Sequence, residues 1–341
     1  MNATMRAWQA TAYGEPAAAL RLNQIPRPEP KTGELRIRVV SASLNPIDFK
    51  LLRGNLRRLQ PMKFPQTLGF DAAGIVDAVG EAVADFRVGD EVFLRASRNT
   101  IGSFAEFTTQ PVQFVAPKPK NIDMAGAASL PLVALTTVQG LVDRAHASAG
   151  QRVLIHAGSG GLGSFAIQYA KHLGLIVDTT TSMKNSVWVK ALGADSVICY
   201  DKEDYRERGA VYDLVFDTLG GEHTMSSLDV LKPGGTLVSV AGPPDREMVA
   251  RFGRNFILRF LMWLMTRKVY AAAAKKNVRY FRFLTESNGR QLAEVGALAE
   301  AGTIRPIIDR AFPFEQCVEA FDYLIAGRAK GKVILNGAAS P

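Results

Sequence analysis

The chain has 341 residues, more than a typical single hydrophobic core contains, so its length predicts two domains. Hydrophobic residues make up 47% and charged residues 21%, which is a globular composition and excludes a disordered chain. The net charge of +9 favours anionic ligands, among which nucleotides, nucleic acid and acidic lipid stay open.

The two cysteines, Cys199 and Cys317, are far apart in the sequence and provide neither a disulfide framework nor a cysteine metal cluster. Residues 1–9 contain no apolar run of the kind that a secretory signal needs. We therefore expect a reducing intracellular compartment, the cytoplasm.

The first third of the sequence alternates apolar and polar residues, as half-buried β-strands do. Helical periodicity is nearly absent before residue 120, which predicts a small β-rich domain. The predicted strands are residues 35–40, residues 72–80 and a third strand that starts with residues 88–93.

From about residue 121 short apolar strands alternate with helical stretches, which predicts a parallel sheet with helices on both faces. The predicted strands are residues 152–156, 196–199, 214–216 and 236–240, one strand from residue 175 and an edge strand at 278–284, and the helices are residues 164–173 and 187–192. The last part predicts helices at 291–301 and 315–326 and a strand at 332–335. We expect this tail to return to the N-terminal domain.

An apolar run at residues 256–265, interrupted by Arg259, lies within a segment dense in basic residues, 251–282. The run is about half as long as a membrane-spanning helix must be. Two interpretations stay open: a helix that lies on a membrane surface, or a helix beside a substrate entrance with its basic face in water, which we favour.

The sequence Gly-Ser-Gly-Gly-Leu-Gly at residues 158–163 fits the dinucleotide-binding pattern, and it follows a predicted strand and opens a predicted helix. Glycines allow the backbone to approach a pyrophosphate, and the helix presents free N–H groups to that anion. We therefore predict that Gly160, Gly161, Leu162 and Gly163 bind the cofactor.

The strand that follows should choose between NADH and NADPH. Asp178 has the spacing of a ribose-binding carboxylate, but the strand is expected to continue to Thr180, which leaves Ser182, Lys184 and Asn185 at its end. Hydroxyls and an ammonium favour a 2′-phosphate, so we predict NADPH, with Thr180 and Asn185 among its ligands. A solvated surface lysine is the alternative interpretation of Lys184.

Several motifs together resemble those of the medium-chain dehydrogenase/reductase superfamily, in its zinc-independent quinone oxidoreductase and enone (alkenal) reductase branch. The resemblance extends from about Arg6 to Leu335. The motifs are residues 45–50 (NPIDFK), 68–74 (LGFDAAG), 157–163 (AGSGGLG), 217–221 (DTLGG), 231–235 (LKPGG) and 331–335 (GKVIL).

The resemblance implies an α/β protein with a GroES-like catalytic domain, residues 1–124 and 288–341, and a doubly wound Rossmann domain, residues 125–287. The active site would lie in the cleft between the domains. It implies that Ser182, Lys184 and Tyr200 hold the 2′-phosphate, although Tyr200 is equally consistent with an amphipathic residue at a strand end. The other implied contacts are Leu219 and Gly242 along the cofactor, Asn45, Lys50 and Thr136 at the nicotinamide, and Gly331 and Lys332 closing over it.

Zinc-dependent relatives carry a catalytic cysteine near the position of Asn45 and Gly-His-Glu where this chain has Gly69, Phe70 and Asp71. Phenylalanine cannot ligate zinc and an amide is a poor substitute for a thiolate, so we expect no metal. Without a Lewis acid, hydride transfer to an enone or a quinone is easier than reduction of a simple ketone.

We therefore expect an NADPH-dependent reductase of a small electrophile, with Lys50 or Asn45 donating a hydrogen bond to the nicotinamide ribose or to the developing oxyanion. Asp48 either orients Lys50 or caps local structure, and we favour the cap. A reductase of a longer acyl substrate stays open, as does a cofactor-binding regulator or an RNA- or membrane-associated protein with little catalysis. A homodimer joined at the predicted edge strand is expected.

Overall fold

The computed structural model describes residues 3–57, 60–252 and 256–337. The chain divides into two compact units, Met1–Leu135 with Glu286–Pro341, and Thr136–Thr285. The strands are β1 (Thr4–Ala10), β2 (Leu20–Pro26), β3 (Glu34–Leu44), β4 (Gln66–Thr67), β5 (Asp71–Val79), β6 (Glu91–Arg95), β7 (Phe107–Pro111), β8 (Val115–Pro117), β9 (Arg152–Ile155), β10 (Ile176–Thr181), β11 (Ser196–Cys199), β12 (Tyr212–Asp217), β13 (Leu231–Ser239), β14 (Arg279–Arg282), β15 (Ile308–Pro313) and β16 (Lys332–Asn336). The α-helices are α1 (Pro16–Ala19), α2 (Pro46–Leu52), α3 (Met124–Ser129), α4 (Pro131–Val138), α5 (Gly161–His172), α6 (Ser186–Lys190), α7 (Glu222–Ser227), α8 (Arg246–Phe252), α9 (Phe256–Lys275), α10 (Gly289–Glu300) and α11 (Cys317–Ile325).

The first unit is built around a sheet in the order β15-β16-β3-β5-β6-β8, with β7 also paired to β3. Alternation along β3 points Leu35, Ile37 and Val39 into the core, where all three are fully buried. The C-terminal tail joins this unit because β16 pairs antiparallel with β3, with Val333 opposite Leu44.

The predicted strand 35–40 lies within β3, and the predicted strand 72–80 matches β5 apart from Gly80, so both strands are confirmed. The third strand begins at Glu91 rather than at residue 88. The difference is caused by a tight turn in which Gly89 has a φ of 96° and the Arg87 N–H donates to the Asp90 carboxylate.

The helix α2 was not predicted, although its sequence carries a recognisable start. Asn45 is the N-cap, Pro46 is the first helical residue and Asp48 at N3 completes a capping box with Asn45. The capping box was the signal that strand periodicity concealed.

The second unit holds a six-stranded sheet in the order β11-β10-β9-β12-β13-β14, and all its neighbouring strands are parallel. This is the doubly wound order, in which the direction of winding reverses between β9 and β12. Ligands bind at the carboxyl ends of the strands beside such a reversal. The predicted α/β fold with a GroES-like unit and a Rossmann unit is confirmed.

None of the helices in the described residues has the length and apolar character that crossing a membrane requires.

Candidate active site

The glycine-rich loop connects β9 to α5 at the carboxyl edge of the parallel sheet. Gly158 donates its N–H to the Thr180 carbonyl at 2.9 Å, and the Thr180 hydroxyl accepts from the N–H of Ala157 at 3.1 Å. Ala157 has a φ of 55°, an uncommon backbone conformation for alanine. Thr180 is 4% exposed, so these two hydrogen bonds hold the loop from its buried side.

Each glycine of the loop has a different steric role. A Cβ on Gly158 would lie 2.3 Å from the Thr179 hydroxyl, and one on Gly163 would lie 2.2 Å from the Ala157 carbonyl oxygen. A Cβ on Gly160 would meet nothing closer than 3.4 Å. Gly158 and Gly163 therefore shape the turn, while the outer surface at Gly160 is open.

The helix α5 begins directly after Gly160, which is an N-cap without a side-chain hydrogen bond. Gly161 and Leu162 are its first two residues and are partly exposed. Their backbone N–H groups have no intrahelical acceptor, because the first four donors of any helix lack one. An open glycine and free amides at a helix N-terminus fit a pyrophosphate.

Asp178 does not lie at the strand end. Its carboxylate is fully buried within β10 and accepts from the Arg152 guanidinium at 2.9 Å and from the Tyr212 hydroxyl at 2.9 Å. Burial and the adjacent carboxylate raise the pKa of Tyr212, so its hydroxyl stays protonated and donates. Asp178 is thereby committed to a buried network.

The residues that follow β10 are hydroxyls, an amide and a lysine. Thr181, the last strand residue, is 1% exposed, and its hydroxyl has no hydrogen-bond partner within the described part of the chain. Ser182 accepts from the Asn185 amide at 3.1 Å, and Lys184 is exposed beside them.

Tyr200 stands at the end of the neighbouring strand. Its N–H donates to the Thr181 carbonyl at 3.0 Å, and its residue is 66% exposed. The structure therefore brings the ends of β10 and β11 together. The Asp201 carboxylate is close by and accepts from the Met183 N–H at 3.0 Å.

Asp217, at the end of β12, organises the loops that carry Leu219 and Gly242. This fully buried carboxylate accepts from the Leu219 and Gly220 N–H groups at 3.0 and 2.9 Å and from the Ser239 hydroxyl at 2.8 Å. Ser239 in turn accepts from the Gly242 N–H at 2.7 Å. Residue spacing alone assigns no role to Asp217, the first residue of the 217–221 motif. The signal in the sequence is its place at a strand end, directly before a Thr-Leu-Gly-Gly turn.

His156, directly after β9, supports the same edge. Its Nε2 lies 2.9 Å from the Ser227 hydroxyl and its Nδ1 lies 3.3 Å from the Thr180 hydroxyl. Burial lowers the pKa of His156 to about 4, so the ring is neutral near pH 7. His156 therefore helps to position Thr180 and adds no positive charge to this edge of the sheet.

Thr136 lies in the helix α4 and is 5% exposed. Its hydroxyl is 2.7 Å from that of Thr285.

In the first unit, four polar residues from three elements form a buried cluster: Asn45, Asp48, Asp71 and Lys332. The Asn45 amide donates to Asp71 at 2.9 Å and to the Ser43 carbonyl at 3.2 Å, and its oxygen accepts from the Lys332 ammonium. Both amide protons of Asn45 are therefore already donated. The Lys332 ammonium also lies 3.6 Å from Asp71.

Burial dominates the electrostatics of this cluster. It raises the pKa of Asp48 to about 8, raises that of Asp71 despite the attraction of Lys332, and lowers that of Lys332. The Lys332 ammonium ties the start of β16 to α2 and β5. Gly331 beside it has a φ of 113°, and a Cβ there would lie 2.4 Å from the Ile307 carbonyl oxygen.

Lys50 lies in the last turn of α2 and is exposed. The Asp48 carboxylate accepts from the Asn45 N–H at 2.7 Å, so of the two interpretations of Asp48 the structure shows the helix cap.

Phe70 is fully buried, and the Arg95 guanidinium lies 5.1 Å from its ring centroid. Within residues 3–57, 60–252 and 256–337, no group of three or more His, Cys, Asp or Glu residues is placed to hold a metal ion.

Comparison with known proteins identifies the relatives of this chain. The family models described as "Alcohol dehydrogenase GroES-like domain" and "Zinc-binding dehydrogenase" match residues 31–120 and 192–335. The chain is 35% identical to the chloroplastic NADPH-dependent alkenal/one oxidoreductase of Arabidopsis thaliana, covering 97% of this chain and 79% of that protein. It is 30% identical to the chloroplast envelope quinone oxidoreductase homolog of the same plant, covering 97% and 98%. The solved structure of the quinone oxidoreductase from Coxiella burnetii superimposes with a TM-score of 0.84 at 32% identity, covering 98% and 99%.

The two units and the glycine-loop site define an oxidoreductase of the nicotinamide-dinucleotide type. The chain belongs to the medium-chain dehydrogenase/reductase superfamily, in its zinc-independent quinone oxidoreductase and enone reductase branch.

Proposed function

We propose that this protein is an NADPH-dependent oxidoreductase that reduces quinones or α,β-unsaturated carbonyl compounds. The observation that carries the proposal is the edge of the parallel sheet, where the loop is open at Gly160 and Asp178 is held by Arg152 and Tyr212. A carboxylate at the ribose would repel a 2′-phosphate, whereas a hydroxyl and an ammonium bind it.

The residues present fit NADPH. The amides of Gly161 and Leu162 and the open surface at Gly160 suit the pyrophosphate, and the partnerless buried hydroxyl of Thr181 is a polar atom at the same edge. We assign Ser182, Lys184 and Tyr200 to the 2′-phosphate, with Thr180 and Asn185 supporting them. Leu219 and Gly242 would contact the cofactor from the loops that Asp217 fixes.

NADPH, when bound, supplies the hydride. The chain contributes position and charge. The Lys50 ammonium is exposed, so it can donate a hydrogen bond to an oxyanion that develops on the substrate. Asn45, whose amide is committed to Asp71, Ser43 and Lys332, would act by fixing the start of α2 rather than by contacting substrate. Thr136 and Gly331 are assigned to the nicotinamide portion.

A substrate panel tests the proposed function. Absorbance of NADPH is followed with a benzoquinone, an alkenal, a cyclic enone and a saturated ketone. We expect oxidation with the quinone or the unsaturated carbonyls and little with the ketone. Failure of every acceptor, with NADPH still bound, would favour a cofactor-binding regulator instead.

We also propose a homodimer joined at β14, which is one of the two edge strands of the Rossmann sheet. An exposed sheet edge is a template for pairing, and two-fold pairing buries two edges at once. Sedimentation analysis should give twice the chain mass, and a monomer at micromolar concentration would contradict the proposal.

A cytoplasmic location is proposed on the two cysteines, which are buried and unpaired. Alkylation of the protein extracted from cells in denaturant should find Cys199 and Cys317 both reduced. An oxidised cysteine pair would argue for another compartment.

A further inference from the structure

The helix α9 packs on its unit through a narrow stripe of side chains. Met262, Thr266, Val269 and Ala273 are buried, at 4%, 5%, 0% and 2% exposure, and follow one another at intervals of four, three and four residues. This spacing selects one side of a helix. The remaining circumference of α9 is left for solvent or for a partner.

The N-terminal half of that outer surface is strongly apolar. Phe256 is 84% exposed, Met265 60%, Trp263 52%, Phe260 49% and Leu264 37%. The rings of Phe260 and Trp263 stack with centroids 5.8 Å apart. Contiguous exposed patches of large apolar side chains are uncommon on monomeric soluble proteins and mark interaction sites.

Two exposed cations continue the same surface toward the C-terminus. Arg267 follows Trp263 by four residues and Phe260 by seven, and Lys268 follows Leu264 by four, so they share the outer side of α9. The sequence from residue 256 to 285 contains seven Lys and Arg residues and no Asp or Glu. We call Phe256, Phe260, Trp263, Leu264, Met265, Arg267 and Lys268 together the α9 patch.

The positive charge of the α9 patch distinguishes among the kinds of partner that could bind it. A second copy would bring like charges together, which is destabilising. A nucleic acid or an acidic protein would pair with the two cations but would leave five large apolar side chains without a role. An anionic bilayer satisfies both, because apolar side chains enter the acyl boundary while Arg and Lys reach the headgroup phosphates.

We propose that the α9 patch docks on the surface of an anionic lipid membrane. The apolar segment of ten residues is about 15 Å long at 1.5 Å per residue, half of a hydrocarbon core, so the helix lies in the interface and does not span it. The site is separate from the glycine-loop edge and does not depend on which electrophile is reduced.

Vesicle sedimentation with the full chain tests this proposal. The purified protein is mixed with phosphatidylcholine vesicles and with vesicles that contain about 30% phosphatidylserine. We expect binding to the anionic vesicles only, weakened at high salt because surface charge attraction is screened. The double variant Phe260→Ser, Trp263→Ser should lose binding by removing apolar contact.

A matched pair of charge variants separates α9 from overall charge. Arg267→Glu with Lys268→Glu should lower partitioning at least about tenfold, since each basic residue near an anionic surface contributes several-fold. Lys120→Glu with Arg290→Glu, at exposed positions of the other unit, changes net charge by the same amount and should retain more binding. Near-ultraviolet circular dichroism confirms that all variants are folded.

Several outcomes would overturn the proposal. These are absence of binding to anionic vesicles, equal loss in the two charge variants, or binding that the Phe260 and Trp263 substitutions leave intact. A variant that shifts the sedimentation of the protein from dimer to monomer would instead make α9 an interface between copies. A variant that retains vesicle binding and slows only enone turnover would make α9 part of a substrate entrance.

Discussion

The carboxylate of Asp178 on β10 is paired with the guanidinium of Arg152 on β9, with 2.9 Å between Oδ2 and Nη2. In the parallel register of β9 and β10, Arg152 is opposite Ile176 and Asp178 is opposite Leu154, so the Arg152 side chain reaches Asp178 from two positions along the neighbouring strand. Asp178 has the sequence spacing of a ribose-binding acid, yet it is fully buried and occupied by Arg152 and Tyr212. The Asp178 carboxylate is therefore occupied within the sheet and does not itself disfavour a 2′-phosphate.

The substitution Asp178→Asn tests that structural role. It should lower the free energy of unfolding by about 2 kcal/mol, because the charge-assisted hydrogen bonds from Arg152 are lost in a buried position. The preference for NADPH should not change. Urea denaturation and cofactor kinetics measure the two effects, with Asp229→Asn as a control that breaks an exposed pair to Lys276 and should cost less than about 1 kcal/mol. A changed cofactor preference would place Asp178 at the ribose after all.

Gly160 and Gly163 should respond differently to alanine. Gly163→Ala places a Cβ 2.2 Å from the backbone oxygen of Ala157 and should destabilise the protein by about 2 kcal/mol or more. Gly160→Ala meets no close atom and should leave stability within about 0.5 kcal/mol, while it weakens NADPH binding at least about tenfold by occupying the pyrophosphate surface. Fluorescence titration and thermal unfolding of both variants check this; normal binding by Gly160→Ala would contradict it.

Lys50→Ala should reduce kcat with little change in the dissociation constant of NADPH, because the ammonium is proposed to act on the developing oxyanion. A fall of about a hundredfold to a thousandfold is expected for one lost donor to an oxyanion. Lys120→Ala, another exposed lysine of the same unit, is the control. Unchanged turnover by Lys50→Ala would remove Lys50 from the proposed chemistry.

Asp48 gives a pH dependence of stability with a definite sign. Its folded pKa is raised by burial to about 8, above the value near 3.9 of an unfolded aspartate. Between these values the folded state holds the proton more tightly, so this group makes stability fall as the pH rises from about 4 to about 8. Asp48→Asn keeps an oxygen that can accept from the Asn45 N–H but cannot titrate.

Urea midpoints at pH 5, 6, 7 and 8 measure this effect. The stability of Asp48→Asn should decline less with pH than that of the unsubstituted protein, whereas Asp229→Asn should follow the unsubstituted protein. Equal slopes for Asp48→Asn and the unsubstituted protein would show that Asp48 is ionised in the folded state across this range.

Sequence patterns predicted the features of the fold that depend on residues close together in the sequence. Alternation located β3 and β5, and the glycine spacing located the turn between β9 and α5. The partners of buried polar groups could not be predicted in this way. Arg152 and Tyr212 reach Asp178 from other strands, and Lys332 reaches Asn45 across 287 positions of the chain.

The hydrogen-bond partners of two candidate site residues, Thr180 and Lys332, could not be predicted from the sequence either. Their positions at a strand end and in a C-terminal motif predicted contact with a cofactor, and those assignments stay predictions. The hydroxyl of Thr180 supports the Ala157 N–H, and the ammonium of Lys332 is buried against Asn45 and Asp71. Neither contact leaves a trace in residue spacing, because each depends on how separate elements pack.

The preference for NADPH over NADH tests the proposed function most directly. The measurement is kcat/KM for NADPH and for NADH with one benzoquinone. It compares the unsubstituted protein, the double variant Ser182→Ala with Lys184→Ala, and the control Lys232→Ala. Lys232 is a suitable control because it pairs with Asp213 near the amino ends of the strands, away from the glycine loop. We predict that the unsubstituted protein and the control prefer NADPH at least about tenfold and that the double variant loses most of this preference, since each charge-assisted phosphate contact contributes about 1.5–3 kcal/mol. Equal or better turnover with NADH, or a double variant that keeps the full preference, would contradict it.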